Sequence, residues 1–212
     1  VAIVTGANSG IGFDTARVLA EHGATVVLAC RNTRKAEARA SIVDATGSRA
    51  LAVAELDLCS LASVRAFATA FSKDYDQLDL LINNAGNMVP PYSLSEDGFE
   101  SQLAANYLGH FALTGLLVDK LEATAGSLVV SLSSIAHRYG KIHYKDMQFS
   151  RRYNAPMAYA QSKLACLMFA VELQQQFALS GCQTISVAAH PASPKPISTS
   201  ICQGCCCQSP ER

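Results

Sequence analysis

The first twelve residues, VAIVTGANSGIG, run from an apolar, β-branched segment through a glycine-rich turn into an amphipathic stretch. Gly6, Gly10 and Gly12 follow a G-x-x-x-G-x-G spacing. Such a turn lays bare backbone N–H groups at a helix N-terminus, where a pyrophosphate binds and side chains would block it. By itself the turn is an ordinary strand–helix connection. Its place after a first strand and before a helix gives it weight. Gly6, Asn8, Ser9, Gly10, Ile11 and Gly12 are the candidate phosphate contacts.

The rest of the chain repeats this unit. Apolar runs at 1–5, 25–30, 50–56, 78–83, 127–132 and 184–189 alternate with helical patterns at 10–22, 34–46, 61–75, 96–124 and 156–179. Continuous apolar runs are what parallel strands covered on both faces require. The pattern predicts an α/β fold: a Rossmann-type doubly wound parallel sheet of six strands, in order 3-2-1-4-5-6, with helices on both faces. Residues 1–191 are expected to form one dinucleotide-binding and catalytic domain. Residues 192–212 are rich in Cys, Pro and Ser without hydrophobic period, and read as a disordered tail.

Half the residues are hydrophobic, and Lys plus Arg (17) equals Asp plus Glu (17). That balance leaves no basic field for nucleic acid. No apolar run reaches the roughly 18 residues of a membrane span. The chain opens directly on a strand, which leaves room for a leader or anchor before Val1. Cys30, Cys59, Cys166 and Cys182 sit in apolar segments and are expected to be buried, reduced thiols of a cytoplasmic protein. Cys202, Cys205, Cys206 and Cys207 crowd into CQGCCCQ without the histidine or second spaced pair of a zinc site, so no metal is expected.

The second strand ends LACRN. Enzymes that use NAD carry an acidic residue at this point for the ribose 2′-hydroxyl. Cys30 and Arg31 stand here instead, and a guanidinium binds a 2′-phosphate that an acid would repel. NADP(H) is therefore expected rather than NAD(H). The plainer reading is that Arg31 opens a solvated loop with Arg34 and Lys35. Asp57 and Leu58 follow the third strand, where the acid either accepts from an adenine amine or caps the helix beginning near Ser60. The fourth strand ends NNAG, and Asn84, Ala85 and Gly86 let a ligand approach the backbone.

In AYAQSK, Tyr159 and Lys163 lie one helical turn apart beside Met157, Leu164, Leu167 and Met168. A neutral phenol offers no counter-charge, so the pair is not a salt bridge. A free phenol ionises near pH 10. A nearby ammonium would favour the phenolate and make the ring a usable acid–base group near neutrality.

TGANSGIG, NNAG, NYLGHF, SLSSIAHR and YAQSK, in this order and at these intervals, resemble the short-chain dehydrogenase/reductase family. LACRN, SSIAHR and the long interval from Ser134 to Tyr159 resemble its branch of retinol dehydrogenases, WW-domain oxidoreductase and protochlorophyllide reductase. The resemblance covers Val1 to about Pro191. It implies an NADP(H)-dependent oxidoreductase that interconverts a small lipophilic carbonyl and its alcohol by hydride transfer. It assigns catalysis to Asn106, Ser134, Tyr159 and Lys163, with Tyr159 and Lys163 also touching the coenzyme. Ser134 would donate to the substrate oxygen, Asn106 would hold a relay water, and a homodimer is an assembly the family allows. A methyltransferase on a similar sheet would leave the Tyr159–Lys163 pair unexplained. His110 and His137 read as structural or rim residues.

The resemblance implies one departure. The family's HPG is HPAS here, with Ala192 for glycine. The family's later helices, substrate loop and seventh strand are expected to be missing. The alternative expectation is thus a truncated, impaired member that retains only coenzyme binding.

Overall fold

The computed structural model describes residues 1–31 and 35–191, without the side chains of Lys35 and Ala36. Strands β1 (Ala2–Thr5), β2 (Val26–Cys30), β3 (Leu51–Glu55), β4 (Leu80–Asn83), β5 (Leu128–Leu132) and β6 (Ile185–Ala189) form one sheet. Its order is β3-β2-β1-β4-β5-β6, and every pairing is parallel. This is the predicted topology. Helices α1 (Gly10–Glu21), α2 (Lys35–Thr46) and α3 (Leu61–Asp74) connect the first four strands, and α6 (Ala155–Ser180) leads into β6. The expected tail at 192–212, with Ala192 and its four cysteines, lies outside the described residues.

Register explains the two cores. Ile3 pairs with Val27 and Leu81, and these three pack with Phe67, Phe71, Leu113, Leu117 and Phe177 on one face. Val4 pairs with Leu28 and Ile82, and these pack with Ala16, Ala20 and Ile42 on the other. Alternate residues of one strand feed opposite faces, so a strand buried on both sides must be apolar throughout. Among the described residues β6 is an edge of the sheet, with Ile185 50% and Val187 40% exposed.

The expected helix at 96–124 starts later. Leu94 and Glu100 make an isolated antiparallel bridge, and the Glu100 carboxylate accepts the N–H of Gln102 at 2.9 Å and of Leu103 at 2.8 Å. That carboxylate begins α4 (Ser101–Leu103), as a helix N-terminus favours. A π turn (Ala104–Leu108) follows, then α5 (Gly109–Ala123). α6 is bounded by the Asn154 side chain, which accepts the Met157 N–H, and by Gly181 at φ 72°. Among the described residues no helix is long and apolar enough to cross a membrane.

Candidate active site

The strand order reverses between β1 and β4, and strand C-termini open a crevice at such a point. A cleft of about 360 Å³ lies there. Gly6, Asn8, Ser9, Ile11 and Gly12 line it from the first turn, Arg31 from the end of β2, Asp57 and Leu58 after β3, and Asn84, Ala85 and Gly86 after β4. Gly10 does not line it; with φ +55° it makes the turn into α1. A Cβ on Gly12 would stand 2.4 Å from Asn84 Nδ2 and 2.5 Å from the Gly6 carbonyl oxygen. The turn therefore packs directly on the β4 loop, at a distance that leaves no room for a side chain at Gly12. A turn ending at a helix N-terminus in this cleft fits a dinucleotide phosphate.

Thr5 ends β1 and organises this wall. Its Oγ1 accepts the N–H of Asn84 and of Ala85, both at 2.9 Å, while Asn84 Nδ2 donates to the Thr5 carbonyl at 2.8 Å. Sequence reading passed over Thr5, which resembles any strand-end threonine. Ser60 rather than Asp57 caps α3, while Asp57 Oδ1 accepts the Cys59 N–H at 2.8 Å.

The other side of the site comes from β5 and α6. Lys163 is 6% exposed; its Nζ donates to the Leu132 carbonyl at 2.9 Å and stands 5.9 Å from the centre of the half-buried Tyr159 ring. Burial pushes the Lys163 ammonium below the usual lysine value. The neighbouring serines differ in a decisive way. Ser133 is buried, and its hydroxyl donates to the Lys163 carbonyl at 2.7 Å. Ser134 is partly exposed, and its Oγ accepts the Ala136 N–H at 3.3 Å, which does not use its proton. Ser134 is the hydroxyl with a proton to offer a ligand.

Asn106 sits inside the π turn, an irregularity frequent at functional sites. Its Nδ2 donates to the Asn87 carbonyl at 3.1 Å and to Ser162 Oγ at 2.8 Å, and its Oδ1 accepts the Asn87 N–H at 2.8 Å. Both amide hydrogens thus bond to protein. His110, expected to be structural or at the rim, is fully buried rather than at the rim, and His137 packs its Nδ1 2.6 Å from the Ser134 carbonyl oxygen. Of the four cysteines within the fold, none forms a disulfide among the described residues; Cys30 and Cys166 are buried as expected, whereas Cys59 and Cys182 are partly exposed. Cys59 lines the cleft beside Asp57, where the protein does not cover it. Among the described residues no group of three or more His, Cys, Asp or Glu could hold a metal.

The profile of the short chain dehydrogenase family matches residues 1–203. The chain belongs to the short-chain dehydrogenase family. Members of known sequence include human retinol dehydrogenase 11, 47% identical over 194 residues, and bovine retinol dehydrogenase 12, 48% identical over 192 residues. The matches cover 91% and 90% of this chain, and the chain spans 60% of the length of each of these relatives. A solved structure from Mycobacterium paratuberculosis superposes with a TM-score of 0.80 at 45% identity, covering 91% of this chain and 68% of that one. A metagenomic short-chain oxidoreductase in complex with NADP superposes at 0.72 with 25% identity, covering 91% and 81%.

Proposed function

We propose that residues 1–191 form an NADP(H)-dependent oxidoreductase domain that interconverts an apolar aldehyde or ketone and its alcohol. The single observation that carries this reading is the nearness of Lys163 to the glycine-lined cleft: a Cβ on Gly86, which lines the cleft, would stand 3.6 Å from Lys163 Nζ, itself 5.9 Å from the centre of the Tyr159 ring. Gly6, Asn8, Ser9, Ile11 and Gly12 would hold the pyrophosphate, Arg31 the 2′-phosphate, Asp57 and Leu58 the adenine side, and Asn84, Ala85 and Gly86 the adjoining ribose. When bound, the nicotinamide supplies or takes up hydride.

In reduction, Tyr159 gives its proton to the substrate oxygen, and in oxidation it takes that proton back. Ser134 donates a hydrogen bond to the same oxygen where negative charge develops. Lys163 is the cation beside the phenol, and it also bonds the coenzyme. Asn106 holds Asn87 and Ser162, the latter adjacent in sequence to Lys163. The names of the relatives support a lipophilic substrate, as do two exposed apolar neighbours of the site: Ile135 beside Ser134, 55% exposed, and Met88 beside Asn87, 69% exposed.

The test mixes purified protein with NADPH and a panel of lipophilic aldehydes and ketones and follows nicotinamide absorbance. Oxidation of NADPH that depends on the carbonyl is expected. NADPH binding with no oxidation across the panel would reduce the chain to a coenzyme binder.

A further inference from the structure

The hydroxyl of Thr5 accepts two backbone N–H groups, those of Asn84 and Ala85. These occupy both of its lone pairs, so its own proton must go elsewhere. His110 Nε2 lies 2.9 Å from that oxygen, nearer than the Ile82 carbonyl at 3.3 Å. Across the ring, Nδ1 stands 3.0 Å from the carbonyl oxygen of Asn106. A carbonyl can only accept, so Nδ1 carries the ring proton and Nε2 accepts from Thr5. The ring is 4% exposed, and burial together with the charge of Lys163 holds its pKa down at about 4. It is therefore neutral at physiological pH, as this pattern of bonds demands.

The two atoms that His110 joins belong to different parts of the site. Thr5 fixes the loop after β4 that lines the coenzyme cleft. The Asn106 carbonyl lies in the π turn, where it also accepts the Cys166 thiol of α6 at 3.1 Å. Cys166 is three residues past Lys163 on the same helix. One imidazole therefore spans from the coenzyme wall to the catalytic wall.

We propose that His110, as its neutral Nδ1–H tautomer, is a positioning residue that sets the spacing between the coenzyme cleft and the Tyr159–Lys163 pair. Its NADPH-affinity and catalytic readouts rest on the function proposed above; the tautomer and melting readouts do not. The requirement is a donor at one end of the side chain and an acceptor at the other. Phenylalanine fills the space and supplies neither. Glutamine supplies both through its amide.

The experiment compares wild type, His110→Phe and His110→Gln in NADPH affinity, in kcat and KM for an aldehyde, and in melting temperature. It also reads the wild-type ring tautomer by histidine-selective NMR. The wild-type ring is expected as neutral Nδ1–H at neutral pH. Folded His110→Phe is expected to bind NADPH about tenfold more weakly and to lose kcat, with both largely restored in His110→Gln. An Nε2–H or doubly protonated ring, or a folded His110→Phe with wild-type affinity, overturns the proposal. If His110→Phe does not fold, the tautomer and the His110→Gln affinity decide: a ring of the other form, or a glutamine variant weakened about tenfold, overturns it. Wild type that binds NADPH but turns over no carbonyl would defeat the proposed function, while the tautomer and affinity results would still decide the role of His110.

Discussion

Lys163 places its Nζ 5.9 Å from the centre of the Tyr159 ring, one helical turn along α6, and anchors it on the Leu132 carbonyl. Burial depresses the lysine value, so as pH rises the ammonium loses its proton earlier than a free lysine does. If the ammonium is needed beside Tyr159, the alkaline limb of the kcat profile falls below pH 10.5, the ordinary lysine value. Lys163→Met should remove turnover. A pH–rate profile that stays flat beyond the free-lysine value contradicts this role.

Ser133 and Ser134 separate structure from chemistry within one dipeptide. Ser133→Ala removes the buried bond to the Lys163 carbonyl and is expected to cost about 1 kcal/mol of stability, read as a lower denaturation midpoint. Ser134→Ala removes the donor proposed for the substrate oxygen and should lower kcat about 10²–10³-fold. Exchange of these two phenotypes would reverse the assignment.

Arg31 lines the cleft at the end of β2, where the 2′ position of the adenosine ribose would lie. Arg31→Asp replaces a cation suited to a phosphate with an acid suited to a diol. The ratio of kcat/KM for NADPH over NADH should fall about tenfold or more. An unchanged ratio removes Arg31 from coenzyme selection.

His110 also makes an acid-stability prediction. Its folded pKa of about 4 lies below the ordinary 6.5, so between these values the unfolded chain binds the extra proton. The contribution is complete above about pH 6.5 and is lost as pH falls toward 4, with about 3 kcal/mol at stake. Lys163 is the charge that faces the ring, and the Cys166 thiol, raised above its ordinary value by burial, stays neutral across this window. Denaturation midpoints measured across the window should fall more steeply for wild type than for His110→Gln. Parallel curves would show that the ring does not titrate with folding.

The sheet was legible because burial on both faces leaves an uninterrupted apolar signature in each strand, such as VVLAC at β2. The cleft residues were legible because glycine turns and strand ends follow the chain locally. Thr5 and His110 were not, because their bonds join residues 79 and 105 positions apart, and no local pattern encodes a partner so distant. The choice of Ser134 over Ser133 came from family resemblance; the physical reason, a hydroxyl already spent on Lys163, emerges only in three dimensions. The late start of the helix before Asn106 was hidden because Glu100 reads as a helix former until its carboxylate is seen to cap.

The most direct measurement is a single-turnover comparison of wild type and Tyr159→Phe, each loaded with NADPH and mixed with a reducible lipophilic aldehyde. The phenyl ring keeps the shape of the site and loses only the proton-transferring hydroxyl. NADPH should bind both proteins alike, and only wild type should oxidise it. Oxidation by Tyr159→Phe at the wild-type rate would contradict the account.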